Sequence, residues 1–208
     1  MELVQTKYEK LFSTPVLRFT LPDSGDLNAA LLSAGGAMRA RDDGVNKSNR
    51  GGWHSQGNLF EAEAECFGTL RDMARDAVLH ATQKIGSRAD LDALRMKIFA
   101  WMNMNPVGGY NAPHTHPGAH WSGVYYVSQP EVEQGNSGMI EFLDPRTDLP
   151  NWRMLKAPAF RLKTRFRPMP GDLILFPSYL VHWVYPNETD EERVTIAFNS
   201  TFKKPKRG

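Results

Sequence analysis

The second half of the chain consists of short apolar segments separated by turn-forming residues, and this pattern restricts the fold more than any other feature. The segments are rich in Val, Ile, Phe, Tyr and Trp, and Gly, Pro, Asn or Asp stands between them. The first group favours strands and the second favours turns, so their regular alternation is typical of an antiparallel sandwich or barrel. The segments are MKIFAWMNMN (96–105), HWSGVYYVS (120–128), GMIEFLDP (138–145), AFRLKTRFRP (159–168), GDLILFPS (171–178), LVHWVYP (180–186) and RVTIAFNST (193–201).

The first half of the chain carries helical signals instead. TPVLRFT (14–20) alternates like an edge strand, and residues 26–41 then place apolar side chains at helical spacing. Residues 42–58 are rich in Gly, Asn, Ser and Asp, which predicts a long loop. Residues 59–85 carry a clear apolar face with charges opposite and predict the second helix.

These elements predict a single α+β domain spanning residues 1–208. Residues 1–95 would form the N-terminal strand, helices and long loop, and residues 96–200 a double-sheeted jelly-roll core with the helices packed outside it. Residues 201–208 contain a basic tail, KKPKRG.

Composition excludes several classes of protein. The net charge is only +2 and the basic residues of the tail have no interleaved aromatic residues, so we expect no nucleic-acid partner. The single cysteine, Cys66, excludes an internal disulfide and favours the reducing cytoplasm. We expect no export signal, because no basic region precedes an apolar stretch at the N-terminus, and no apolar run long enough for a membrane span.

A cluster of histidines points to chemistry. NAPHTHPGAHW (111–121) contains three of the six histidines, and His114 and His116 are two residues apart, so in an extended segment both imidazoles face the same way. His120 follows Pro117 and Gly118, which predict a turn, and we place it outside the ligand set. His182, between apolar neighbours of a later strand, is the candidate third ligand. Three imidazoles suit a transition metal rather than Mg²⁺ or Ca²⁺.

Arg193 suggests a second function for the same cavity. It begins an apolar strand, and Thr195, two residues on, points the same way. A guanidinium fork with an added hydroxyl could bind a dicarboxylate through bidentate hydrogen bonds. Alternatively, Arg193 pairs at the strand end with an acidic residue, for which the candidates are Glu191, Glu192 and Asp172.

Together these stretches resemble the iron(II)- and 2-oxoglutarate-dependent dioxygenases, and specifically a small family with a double-stranded β-helix core. The resemblance lies in NAPHTHPGAHWSGVYYVS, GDLILFPSYLVHWVYPN and RVTIAFN, over about residues 96–200, and GGWHS (51–55) also fits. It implies Fe(II) and 2-oxoglutarate as cofactors, with His114 as the first iron ligand and His182 as the distal one. Arg193 would hold the far carboxylate of 2-oxoglutarate, assisted by Thr195. The implied activity is oxidative decarboxylation of 2-oxoglutarate coupled to hydroxylation of a substrate.

The chain departs from the wider superfamily at one ligand. His116 stands where that superfamily has an aspartate, so a neutral imidazole replaces a carboxylate. Glu141 and Asp144 are the nearest carboxylates in sequence that could take its place. His114, His116 and His182 are nevertheless the predicted metal ligands, and no catalytic group beyond them is expected.

Further residues are candidates for the cavity walls. Asn103 is a polar residue in an apolar strand that needs a buried partner, and Ser122 could add a hydroxyl, so both join Arg193 and Thr195 as predicted cofactor-binding residues. The predicted substrate contacts are four aromatic residues, one of which lies in the long loop. These are Trp53, Tyr110, Trp121 and Tyr125, and Trp101 and Trp183 are further wall candidates.

Two rival functions remain open at this point. A cupin-type protein could bind metal through the same three histidines without an oxoacid, and would not need Arg193 to face inward. A non-enzymatic module could bind metal or ligand without turnover. The sequence leaves the substrate, either a small molecule or a peptide, the native metal and the oligomeric state open.

Overall fold

The computed structural model describes residues 4, 5, 7, 11–45, 47–146, 154 and 156–205. Two α-helices lie in the first half, α1 at Gly25–Arg39 and α2 at Glu65–Lys84. Single 3₁₀ turns occur at Leu59–Glu61 and Pro158–Phe160. Neither helix has the length and apolar composition that crossing a membrane would require.

The described residues also form eleven strands in two antiparallel sheets. In chain order they are β1 (Leu17–Thr20), β2 (Asn49–Arg50), β3 (Trp53–His54), β4 (Arg95–Asn105), β5 (Tyr110–His114), β6 (Trp121–Ser128), β7 (Ile140–Leu143), β8 (Lys163–Phe166), β9 (Asp172–Pro177), β10 (His182–Val184) and β11 (Arg193–Lys203). One sheet has the order β1-β9-β6-β11-β4-β3 and the other β2-β5-β10-β7-β8. The prediction of helices followed by many antiparallel strands is confirmed.

Two apolar layers hold these elements together. The larger lies between the helices and the six-stranded sheet, where Leu31, Phe67 and Leu70 pack with Met102 and Phe198. The smaller joins the two sheets and is formed by Val124, Tyr126, Ile140, Phe142, Ile174, Phe176, Leu180 and Val184. The six-stranded sheet is therefore covered by helices on one face and by the second sheet on the other.

The second helix begins later than predicted, because Asn58 organises a separate turn ahead of it. Its side-chain oxygen accepts hydrogen bonds from the backbone N–H groups of Phe60 and Ala100, and its amide nitrogen donates to Glu61 and to the Ile98 carbonyl. These bonds tie residues 58–61 to β4. The helix proper starts only at Glu65, although the apolar pattern already starts at residue 59.

The predicted loop 42–58 is partly sheet. β2 pairs with β5 in one sheet, and β3, two residues later, pairs with β4 in the other. This crossing is tight, since a Cβ on Gly52 would lie 2.5 Å from the Met104 carbonyl oxygen. The predicted tail also differs, because β11 continues to Lys203, while residues 206–208 lie outside the described part of the chain.

Candidate metal centre

Two neighbouring strands bring the predicted ligand histidines together. His114 at the end of β5 is the cross-strand partner of His182 at the start of β10, and His116 follows two residues after β5. The ring centroids are 4.3 Å apart for His114 and His182, 4.8 Å for His114 and His116, and 5.2 Å for His116 and His182. One ring nitrogen from each lies within 4.8 Å of the others. The pairing of β5 with β10 thus brings His116 and His182 together, although 66 residues separate them in sequence.

Backbone carbonyls orient two of these rings. Nδ1 of His114 lies 2.7 Å from the Ala112 carbonyl oxygen, and Nδ1 of His182 lies 2.9 Å from the Leu180 carbonyl oxygen. Because a carbonyl only accepts, Nδ1 carries the proton in each neutral ring and Nε2 keeps its lone pair. This arrangement is the usual support for a metal-binding histidine.

Burial keeps all three imidazoles neutral at pH 7. It lowers the pKa of His114, and burial together with the neighbouring His114 lowers the pKa of His116 to about 4 and that of His182 to about 3. A neutral imidazole is the form that binds metal. The donor set therefore fits a transition-metal ion without prior loss of protons.

The two carboxylates considered as replacements for His116 are engaged elsewhere. Glu141 is fully buried, but it pairs with Lys163 Nζ at 2.9 Å and Arg165 Nε at 3.4 Å, on the face of β7 opposite Phe142. Phe142 is the neighbour that contacts the His182 ring. Asp144 pairs with Arg146 at 2.6 Å. Among the described residues, the only metal-ligating cluster here is the three histidines.

Arg193 is buried, with 2% of its surface exposed, and forms no ion pair with any carboxylate of the described residues. Its Nε donates to Gln129 Oε1 at 3.0 Å, and its Cζ lies 5.3 Å from the Tyr126 ring centroid. Nη1 has no hydrogen-bond partner in the part of the chain that the structure describes. Burial lowers the pKa of Arg193. An unpaired buried guanidinium is costly, and an anionic ligand would remove that cost.

Two of the three acidic partners considered for Arg193 have other contacts. Asp172 accepts from the Thr20 hydroxyl at 2.7 Å and from the Met169 backbone N–H at 2.9 Å. Glu192 pairs with Arg39, the last residue of α1, at 2.6 Å. Neither Asp172 nor Glu192 therefore forms the predicted strand-end ion pair with Arg193.

One cavity contains both the histidines and Arg193. The predicted cofactor-binding residues Thr195, Asn103 and Ser122 also line it, as do residues that sequence reasoning did not select. Asn103 Oδ1 is buried without a partner, and the Ser122 hydroxyl donates to Asn199 Oδ1 at 2.7 Å. The lining residues are Ser48, Trp101, Asn103, Asn111, His114, His116, Ser122, Gly123, Val124, Tyr126, Ile140, Phe176, His182, Val184, Arg193, Thr195 and Ala197.

The four predicted substrate contacts do not line this cavity. Trp53, Trp121 and Tyr125 lie in the layer between the helices and the sheet. Their polar atoms donate to the Asp42 carbonyl, the Thr82 hydroxyl and the Asn28 side chain respectively. Tyr110 is 39% exposed at the start of β5. Their positions favour packing roles instead of substrate contacts.

Trp101, predicted only as a candidate for the cavity wall, lines the cavity, and Gln129, which contacts Arg193, was not predicted at all. Trp101 has the same strand phase as Asn103, two residues on, and that phase is the signal that finds it. Gln129 follows the end of β6, and nothing in the sequence marks it. His120 is exposed, and its Nδ1 accepts a hydrogen bond from the Phe202 backbone at 3.2 Å, so it supports the loop after His116 instead of joining the ligands.

Solved structures of similar fold include two prolyl hydroxylases and a protein that binds nickel and 2-oxoglutarate. A Pseudomonas putida prolyl-4-hydroxylase matches with TM-score 0.65 and 17% identity, covering 95% of this chain and 96% of that one. A Trichoplax adhaerens prolyl hydroxylase bound to a hypoxia inducible factor peptide fragment matches with TM-score 0.66 and 13% identity, covering 89% and 83%. HygX from Streptomyces hygroscopicus, solved with nickel and 2-oxoglutarate, matches with TM-score 0.59 and 14% identity, covering 90% and 83%. At these identities the likeness concerns the fold.

Sequence comparison points the same way. No curated protein matches the chain. Residues 99–199, however, match the family model described as "Putative 2OG-Fe(II) oxygenase". The matched segment contains His114, His116, His182, Arg193 and Thr195. Over this ligand-bearing segment, the chain is similar to the 2OG-Fe(II) oxygenase family.

Proposed function

We propose that the protein is an Fe(II)- and 2-oxoglutarate-dependent dioxygenase that hydroxylates a C–H bond of its substrate. The observation that carries this proposal is one cavity in which three neutral imidazoles converge and a buried guanidinium has no carboxylate partner among the described residues. The family match of residues 99–199 and the nickel and 2-oxoglutarate in the HygX structure support the same cofactors. We also interpret the two facing antiparallel sheets as the double-stranded β-helix (jelly-roll) core of these enzymes.

The predicted metal-binding and cofactor-binding residues each have a role in this proposal. His114, His116 and His182 hold the iron, the first and the last through Nε2. Nη1 of Arg193 binds the far carboxylate of 2-oxoglutarate. Thr195 adds a hydroxyl beside that carboxylate. Asn103 and Ser122 line the wall and offer polar groups in a site that is otherwise apolar.

Bound Fe(II) would supply the chemistry with dioxygen, in which one oxygen atom enters the substrate C–H bond and the other enters 2-oxoglutarate, which loses CO₂ to become succinate. The chain's own residues position the reactants. Arg193 fixes one end of 2-oxoglutarate by charge-assisted hydrogen bonds, and Gln129 holds the guanidinium in place. Val124, Phe176 and Val184 give apolar walls that exclude water.

The setting of the reaction follows from the same chemistry. A reducing cytoplasm keeps iron in the Fe(II) state and suits the free thiol of Cys66. We propose a small-molecule or peptide substrate and no nucleic-acid partner. The peptide in the Trichoplax adhaerens structure shows that a neighbouring fold accepts a peptide.

The proposal is tested by separating metal binding from 2-oxoglutarate binding. Wild-type protein should bind Zn(II) or Fe(II), and the metal-loaded protein should bind 2-oxoglutarate and release succinate with Fe(II). His114→Ala should abolish all three. Arg193→Gln should keep the metal but weaken 2-oxoglutarate binding by about 30-fold or more, because it removes a buried charge-assisted contact. Calorimetry measures both affinities.

His120→Ala is the matched control, since this exposed histidine lies outside the ligand cluster. It should bind metal and 2-oxoglutarate like the wild type. Wild-type protein that binds metal but no 2-oxoglutarate would instead support a cupin-type metalloprotein. Protein that binds no divalent metal would overturn the proposal.

A further inference from the structure

The cavity opens along one face of β4 and β11. Alternate residues of β4 face the cavity, since Trp101 and Asn103 line it while Met102 and Met104 pack against the helices. Exposure rises steadily along this face: Asn103 is 4% exposed, Trp101 is partly exposed and Phe99 is 48% exposed. The covering strands are short, because β5 has five residues and β10 three, against eleven in β4 and in β11. The outer half of this face is therefore accessible from solvent.

Aromatic rings form the part of this face nearest the metal ligands. The Trp101 ring centroid lies 5.6 Å from that of His116 and 6.3 Å from that of Phe99. On another side Trp101 stacks on His54, with centroids 5.7 Å apart and planes 9° apart. Burial lowers the pKa of His54, so this supporting ring is neutral. Trp101 is thus held in a fixed position beside a metal ligand with part of its surface free, which suits a flat or cyclic apolar group.

The far end of the same face is cationic. β4 and β11 read RMKIFAWMNMN and RVTIAFNSTFK, and neither contains an acidic residue. Their register places Lys97 opposite Thr201 and Arg95 opposite Lys203, and the alternation puts all four on the cavity face. No ion pair involves Lys97, Arg95 or Lys203 within the described residues. The four residue-to-residue steps from Trp101 to Lys97 span about 13 Å.

We propose that this face, formed by Trp101, Phe99, Asn199, Lys97 and Lys203, binds the substrate and selects for two groups joined in one molecule. A flat or cyclic apolar group lies on Trp101 and Phe99, beside the metal ligands. An anionic group, a carboxylate or a phosphate, lies about 10 Å away at the lysine end. Cationic substrates are disfavoured, because the aromatic faces that would attract them stand next to unpaired lysines. This inference rests on the proposed function, since it names the substrate class of that site.

The test is a binding measurement with two probes that differ only in charge. The probes are 4-(2-naphthyl)butanoate and the matching alcohol, 4-(2-naphthyl)butanol, and the protein is loaded with Zn(II) and 2-oxoglutarate so that no turnover occurs. Calorimetry should show the acid binding several-fold more tightly than the alcohol, with the difference shrinking at high salt. Trp101→Ala should weaken both probes about tenfold, and Trp101→Phe should restore most of the loss. Lys97→Gln should weaken the acid about threefold and leave the alcohol unchanged.

Two matched controls complete the test. Trp183→Ala removes a tryptophan on the face of β10 opposite His182, and Lys84→Gln removes an exposed lysine at the end of α2, so both should bind the probes like the wild type. Equal affinity for acid and alcohol, or an unchanged affinity in Trp101→Ala, would overturn the inference. Binding of 2-oxoglutarate to the zinc-loaded protein is measured separately. Its loss would count against the proposed function, whereas its retention with no probe binding would count against this inference alone.

Discussion

At the scale of single residues, histidine at position 116 changes the charge of the metal centre. Three neutral imidazoles leave the full double positive charge of a divalent ion, whereas a carboxylate would cancel half of it. Arg193 adds a further positive charge in the same cavity. The divalent ion and Arg193 together carry three positive charges, and the dianion 2-oxoglutarate would compensate two of them. Because two of the three charges come from the metal, 2-oxoglutarate should bind only after the metal has bound.

Gln129 is the residue on which the orientation of Arg193 depends. Its Oε1 accepts the Arg193 Nε–H at 3.0 Å, which leaves Nη1 for a ligand. Gln129→Leu should therefore raise the KM for 2-oxoglutarate about tenfold with kcat and metal affinity little changed. Gln129→Glu should raise it further, because the new carboxylate pairs with the guanidinium and competes with the co-substrate. Steady-state kinetics and metal titration measure these effects, and Gln134→Leu, at an exposed position, is the control. An unchanged KM in both Gln129 variants would contradict the assignment.

The buried histidines predict an acid-sensitive metal-free protein. The folded-state pKa of His182 is about 3, against a usual 6.5, because burial and His114 disfavour its charged form. Below pH 6.5 the unfolded chain gains this proton and the folded chain does not, so the free energy of unfolding should fall as the pH drops from 6.5 towards 3. Melting of EDTA-treated protein at pH 7.5 and pH 5.0 measures the fall. His182→Phe, which can pack against Phe142 and Phe176, should reduce the pH dependence; the same dependence in this variant would contradict the assignment.

At the scale of elements, strand phase decided how much of the site could be predicted. The spacing of His114 and His116 and the apolar surroundings of His182 were enough to predict their convergence. The phase of β6 was not readable, because seven of its eight residues are buried and each face carries one valine and one tyrosine. Sequence therefore could not show that Trp121 and Tyr125 face the helices while Ser122 and Tyr126 face the cavity. In β4 the phase is readable, because the polar Asn103 marks the face toward the cavity. Trp101, two residues earlier, lies on the same face.

The crossing between β2 and β3 should tolerate no side chain at position 52. A Cβ there would lie 2.5 Å from the Met104 carbonyl oxygen and 3.0 Å from the Asn49 amide. The Met104 carbonyl belongs to β4, which is paired on both sides, so it cannot move away without disturbing the sheet. Gly52→Ala should lower the free energy of unfolding by about 1–3 kcal/mol. Urea denaturation measures it. Gly36→Ala, in α1 with no atom within 4 Å of the added Cβ, should instead stabilise by about 0.5–1 kcal/mol. Equal effects of the two substitutions would contradict this account.

At the scale of the whole molecule, the six-stranded sheet divides the protein into a packing side and a chemical side. Its helix-facing side holds the larger apolar layer, and its other side meets the five-stranded sheet across the cavity. The second sheet contributes the ligands His114 and His182, and the first contributes Arg193. Metal and co-substrate would therefore bridge the two sheets.

This bridging predicts that cofactors stabilise the whole domain in two separable steps. A ligand at 100 times its Kd stabilises the folded state by about 2.7 kcal/mol, which for a chain of this size raises Tm by about 5–10 °C. Zn(II) should give the first rise in a thermal scan of EDTA-treated protein, and 2-oxoglutarate should add a second only when the metal is present. Arg193→Gln should keep the first rise and lose the second, whereas His114→Ala should lose both. A ligand raises Tm only if the folded protein binds it. A rise with 2-oxoglutarate that survives in Arg193→Gln would therefore show that the co-substrate binds at a site that does not include Arg193.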